Sequence, residues 1–229
     1  MFDYILPVAC ALVWQGALSR HYFHMYQLNS YRPERYRRWL EKNPKERRLT
    51  AGLFPAAAAM LGRWAAPLYF GLAVLAISVR PPEKKPFVVT GRVKRQFAAA
   101  ALLLLITGAV GLIVPAPWRF VYTAAIAGLP IAVWLPLLSG RMTEGMEKKI
   151  ADGFVKAAKE KLAASGVTAL GVTGSYGKTS VKYILTEMLR DTFDTLMTGG
   201  SYNTTMGVVR TVNEEMTPFN QVFVCEMGA

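Results

Sequence analysis

Two stretches of this chain run for eighteen residues or more without a charge: residues 97–114 (FAAAALLLLITGAVGLIV) and residues 120–138 (FVYTAAIAGLPIAVWLPLL), joined by the short PAPWR link. A core helix of a soluble protein keeps one polar face, and neither run has one. Each is close to the roughly 20 apolar residues that cross a bilayer's hydrocarbon core as a helix. Trp118 and Trp134 stand near the ends of the second run, where the polar edge of an indole meets the headgroups. Both runs are therefore expected to be membrane-spanning helices, with the PAPWR link as a tight turn outside the hydrocarbon.

Two further apolar stretches precede them. Residues 4–18 are interrupted by Gln15, have no Lys or Arg before them and no A-x-A site after them. That pattern argues against a cleaved signal peptide and for a retained membrane helix. Residues 49–79 carry Arg63 near the middle and the breakers Pro55, Gly62 and Pro67. One tilted helix or a hairpin of two short helices would fit their length.

The net charge of +12 raises nucleic-acid binding as a function class. The placement of the charge excludes it here. Arg35, Arg37, Arg38, Arg47 and Arg48 precede one apolar stretch, and Lys84, Lys85, Lys94 and Arg95 precede another, as positive charge gathers beside membrane spans. Residues 80–96 hold six basic residues, and residues 20–49 hold nine against three Glu. Keeping both segments inside favours a hairpin for 49–79 and an outside N-terminus. The expectation is a multi-pass protein of the cell membrane with its C-terminal part in the cytoplasm.

The segment 21–40 (HYFHMYQLNSYRPERYRRWL) interleaves aromatics with arginines. It reads as an interfacial helix on anionic headgroups, or more sharply as a place for a lipid-linked or anionic substrate. His21 and His24 are i, i+3 neighbours with no third ligand type nearby. Cys10 and Cys225 have no metal-ligand spacing and imply no disulfide framework.

From Gly140 the composition changes to that of a soluble α/β stretch. Met146, Ile150, Phe154, Ala158 and Leu162 recur every four residues, which predicts an amphipathic linker helix within 140–165, ended by Ser165-Gly166. Residues 167–173 (VTALGVT) read as a buried strand. The glycine turn Gly174-Ser175-Tyr176-Gly177-Lys178-Thr179-Ser180 follows, and Val181, Ile184, Leu185, Met188 and Leu189 mark the inner face of a helix.

Strand, glycine loop, Gly-Lys-Thr and helix together form the context of a phosphate-binding loop. Backbone N–H groups surround phosphate oxygens only where side chains leave room, which explains Gly174 and Gly177. The helix start directs its dipole at the same anion. Lys178 supplies a point charge, and the Thr179 hydroxyl a ligand for Mg²⁺. The general GxxxxGK[ST] pattern is not met, because Val172 occupies its first glycine position.

The shorter pattern, Thr173-Gly174-x-x-Gly177-Lys178-Thr179-Ser180 after Gly171-Val172, resembles the signature of the Mur ligase family. Ser201-Tyr202-Asn203-Thr204-Thr205-Met206-Gly207-Val208 is similar to that family's Asn-containing loop. Val222-Phe223-Val224-Cys225-Glu226-Met227-Gly228-Ala229 is similar to its strand ending in Glu-x-Gly-Ala. The likeness is to the muramoyl-tripeptide D-alanyl-D-alanine ligase branch, in a form with an N-terminal membrane region, and spans residues 166–229.

The resemblance implies that Gly174, Ser175, Tyr176, Gly177, Lys178, Thr179 and Ser180 bind ATP, that Thr179 and Glu226 ligate Mg²⁺, and that Lys178 and Asn203 serve catalysis. It implies amide formation through an acyl phosphate in cell-wall peptide synthesis. The partners would be membrane lipids, a small-molecule or lipid-linked carboxylate, and an amino-acid or dipeptide amine, with no nucleic acid. A membrane-bound poly-γ-glutamate synthetase shares that core, and a non-catalytic nucleotide-binding membrane protein is the alternative from another class.

The expected architecture is an α-helical membrane region (1–139), a linker helix (140–165) and the N-terminal half of an ATP-binding α/β domain with a parallel sheet (166–229). Strands are expected near 167–173, 194–198 and 221–225, and helices near 177–191 and 206–216. A half-domain of this kind is expected to be inactive by itself and to leave an open sheet edge with exposed apolar surface.

Overall fold

The computed structural model describes residues 2–47, 71, 75 and 85–228. The expected hairpin or helix at 49–79 lies outside the described residues apart from positions 71 and 75, as does Lys84. The chain divides into two compact units, Met1–Gly145 and Met146–Ala229.

The first unit is helical: α1 (Phe2–Leu28), α2 (Pro33–Lys42), α3 (Gly91–Ile113), α4 (Arg119–Gly128) and the first part of α5 (Ile131–Ser165). Thr90 caps α3, its hydroxyl accepting from the Val93 N–H. Among the described residues α3 is long and apolar enough to cross a bilayer, judged by length and composition. Much of its apolar surface is uncovered, including Leu102, Leu105, Ile106, Leu112 and Ile113.

The run at 120–138, expected as one helix, is two. It breaks between α4 and α5, whose axes differ by 77°. Pro130 is the cause, since it lacks an N–H and forces Leu129 into extended backbone (ψ 146°). The Ile126 carbonyl thereby loses the partner that a Pro130 N–H would have been. Gln15 of α1 takes that place: its Nε2 donates to Ile126 O at 2.7 Å and Leu129 O at 2.9 Å, while its Oε1 accepts from the Ala132 N–H at 3.0 Å. The polar residue inside the first apolar run thus satisfies the backbone at the break.

The segment 21–40 also departs from a single interfacial helix. It is the end of α1, a turn, and α2. Ser30 and Tyr31 hold φ of 59° and 55° in that turn, conformations that cost non-glycine residues about 1–3 kcal/mol each. On α2, Tyr36 and Leu40 point inward against Tyr22, Tyr26, Ala132 and Val133, while Arg35 and Arg38 face out and Arg37, also solvent-accessible, borders a cavity beside Tyr26 and Tyr31. The buried Tyr36 hydroxyl donates to Val133 O at 2.8 Å.

The helix predicted within 140–165 has no separate start. Ser139 and Gly140 are helical, and α5 is continuous for 35 residues. Its final turns belong to the second unit, with β1 (Thr168–Val172), α6 (Lys178–Arg190), β2 (Thr195–Met197), α7 (Thr205–Glu214) and β3 (Val222–Glu226). The strands are all parallel in the order β1-β3-β2, with Thr168 opposite Val222 and Val172 opposite Glu226.

The central strand explains its own composition. Every residue of β3 is buried, because helices cover both faces. Phe223 and Cys225 pack with Ala158, Val209, Val212 and Met216 on one side. Val222 and Val224 pack with Val172, Leu185 and Leu189 on the other. Burial pushes the Cys225 thiol above its ordinary range.

The predicted inner face of α6 is corrected. Val181, Ile184 and Met188 are exposed at 50%, 61% and 72%, and the face against the sheet carries Lys182, Leu185, Thr186 and Leu189. Among the described residues the narrow sheet offers the 181–184–188 flank no packing partner, and β1 and β2 each have one unpaired edge.

Candidate functional site

Parallel strands send their C-terminal ends to one edge of the sheet, and loops leaving that edge build the ligand sites of α/β folds. Here the edge collects the turn after β1, the turn after β2 and the end of β3. Val172 and Glu226 are partners in register, so the glycine turn and the carboxylate start from the same rung.

The turn after β1 closes at Gly177, which has φ 73° and ψ 0° and leads directly into α6. A Cβ there would meet nothing within 4 Å. The requirement at this position is the left-handed backbone, not space. With no side chain to cap the helix, the first N–H groups of α6 stay open toward the turn, where an anion would find them and the positive end of the dipole. Tyr176 is 96% exposed, and Ser175 and Ser180 also face solvent. Lys178 folds back over the turn, its Nζ donating to Gly174 O at 2.6 Å.

Across from the turn, the Thr179 hydroxyl donates to Glu226 Oε2 at 2.9 Å. Two hard oxygen donors so close suit a Mg²⁺ ion that keeps several waters and shares phosphate oxygens. Among the described residues no cluster of three or more His, Cys, Asp or Glu could hold a metal.

Lys182, absent from the sequence-derived set, organises the floor of this edge. Its side chain is fully buried and its Nζ donates to Thr198 O at 2.7 Å and to Gly200 O. The same ammonium lies 3.7 Å from Glu226 Oε2. Thr198 closes the circuit, its Oγ1 accepting from the Glu226 N–H at 3.2 Å. The signal for Lys182 was its spacing: four residues after Lys178, it continues the same helical face inward.

Asn203 reaches the edge from the other side. Its main-chain carbonyl accepts from the Gly228 N–H at 2.8 Å, and Thr204 caps α7, its hydroxyl accepting from Gly207 N–H at 3.2 Å. The arrangement thus brings Gly174, Lys178, Thr179, Glu226 and Asn203 to one sheet edge. An ammonium over the turn, open helix N–H groups and an oxygen pair suit a polyphosphate and its divalent ion.

Residues 172–229 match the family model described as Mur ligase middle domain. Comparison with curated proteins and with solved structures gives no match. The family match supports the Mur ligases, ATP-dependent amide-forming enzymes of cell-wall peptide synthesis, for the segment that carries this site.

Proposed function

We propose that this chain carries the nucleotide-binding part of a membrane-anchored, ATP-dependent carboxylate–amine ligase of cell-wall peptide synthesis. The observation that carries the reading is the Thr179–Glu226 hydrogen bond at the same sheet edge as the Gly174–Lys178 turn. In this assignment the N–H groups from Gly174 to Thr179 hold the phosphates of ATP, with Ser175, Tyr176 and Ser180 along the same turn. Lys178 exchanges the Gly174 carbonyl for phosphate oxygens. Thr179 and Glu226 would hold Mg²⁺, which would supply neutralisation of phosphate charge there.

The likeness to the Mur ligases implies the reaction. A carboxylate oxygen of the substrate attacks the γ-phosphorus, ADP leaves, and an acyl phosphate forms. An amine then attacks the acyl carbon, the C–O bond to phosphate breaks, and the nitrogen loses a proton as the amide forms. Lys178 offsets charge that gathers on the transferred phosphoryl group, and Asn203 orients the acyl end. The acyl donor is a small-molecule or lipid-linked carboxylate, and the acceptor an amino acid or dipeptide amine.

The membrane assignment draws on α3, on the broken α4–α5 pair, and on Gln15, which satisfies backbone groups that hydrocarbon could not. Lys178→Ala tests the site directly. Titration with ATP and Mg²⁺ should show binding by the unsubstituted chain and loss of about a hundredfold or more in the variant. Unchanged affinity would remove the assignment. Resistance of the membrane-bound chain to alkaline carbonate tests the anchor separately.

A further inference from the structure

The first unit holds a polar cavity of about 370 Å³ where the end of α1, the start of α2, the start of α3 and the middle of α5 converge. We propose that this cavity binds the phosphate group of a membrane lipid headgroup. Three guanidinium groups line it, each from a different helix: Arg37 from α2, Arg92 from α3 and Arg141 from α5. A solvated basic face would place its charges along one helix. Convergence from three elements instead suits a compact anion, which planar guanidinium forks grip in pairs.

The walls are set in advance. Arg92 lies 4.2 Å from the centroid of the Tyr31 ring, so the fork is stacked before any ligand arrives. Tyr31 is held there by the left-handed turn at Ser30–Tyr31, and strain of this kind persists where the surroundings fix it. Tyr26 sets the depth. A Cβ at Gly140 would stand 2.8 Å from its hydroxyl, so only a glycine on α5 lets this ring keep its place.

Size and level identify the ligand. The volume fits a small headgroup and falls within the range of ordinary ligand pockets, about 300–1,000 Å³. Arg92 is in the first turn of α3, five residues ahead of the uncharged run that begins at position 97. The inference rests on α3 crossing the bilayer, which puts the cavity at the depth of lipid phosphates. Glu34 and Glu144 also line it. Two carboxylates beside three guanidiniums disfavour a bare polyanion and accept hydrogen bonds from headgroup hydroxyls, so a glycerol-type phosphodiester fits best.

The test is calorimetric titration of the purified chain in nonionic detergent with dihexanoyl phosphatidylglycerol, dihexanoyl phosphatidylcholine and inorganic phosphate. The expected result is saturable one-to-one binding of phosphatidylglycerol, weaker by roughly tenfold in Arg37→Gln or Arg141→Gln. The paired variant Arg35→Gln/Arg38→Gln, on the same helix but outside the cavity, should bind as the unsubstituted chain does. Equal loss in that control, or no saturation, would overturn the site and leave general attraction to anionic surfaces. Inorganic phosphate binding as tightly as the lipid would overturn the lipid assignment. Thermal melts establish that these exposed-residue variants fold. Carbonate extraction of the unsubstituted chain reads the membrane assignment independently of any ligand.

Discussion

The Lys182 ammonium and the Glu226 carboxylate meet at 3.7 Å, Nζ to Oε2, with both side chains shut off from solvent. Removing one member strands the other charge in a low-dielectric interior, which costs about 3–5 kcal/mol. Lys182→Met should therefore lower the denaturant midpoint of the second unit sharply. The double variant Lys182→Met/Glu226→Gln should recover the part due to the stranded carboxylate, while the loss from Thr198 O and Gly200 O, left without their donor, remains. Chemical denaturation of the two variants side by side measures this, and equal midpoints would show that the pair is not coupled.

Thr179 makes a different kind of contact. Its hydroxyl donates to Glu226 at a partly exposed site, so Thr179→Val should cost the fold only about 1 kcal/mol. Its effect should fall on Mg²⁺-dependent nucleotide binding, weakened by roughly tenfold while binding without Mg²⁺ changes little. Titration with and without the cation separates the two.

Gln15→Leu should destabilise the first unit by about 1–3 kcal/mol, because Ile126 O and the Ala132 N–H both lose their side-chain partner. Hydrogen exchange at Ala132 should speed up well before global unfolding. Unchanged protection there would mean that the α4–α5 break holds without Gln15.

Cys225 gives a pH-dependent readout. Burial pushes its thiol above the ordinary value of 9.0. Above that pH the unfolded chain releases a proton that the folded chain retains, so stability of the second unit should fall as pH rises through this range. Maleimide should label Cys225 at neutral pH only upon unfolding, and rapid labelling of the native chain would contradict its burial.

Much of the second unit could be read from residue order. The VFVC run of β3 is apolar on every residue because both faces are covered, and strand–glycine–helix punctuation located the turn after β1, although Lys178, Thr179 and Ser180 of the expected turn belong to α6. The face of α6 could not be read the same way. Apolar spacing selected Leu185 and Leu189, which do pack on the sheet, together with Val181, Ile184 and Met188, which do not; the groove is where Thr198 O and Gly200 O need a donor, and Lys182 supplies it. In the first unit, hydropathy is blind to a helix break inside an apolar run. Pro130 was visible, but the amide that makes the break tolerable lies more than a hundred residues away at Gln15.

The strand order carries a consequence for how this chain is made. Among the described residues β1 and β2 do not pair with each other; each pairs with β3, the last of the three to be synthesised. These three strands therefore cannot pair during synthesis until β3 emerges to stand between β1 and β2, and the contacts it makes with β1 are distant in sequence, which slows assembly. The same strand delivers Glu226, so the oxygen pair of the site and the sheet come into being in a single event.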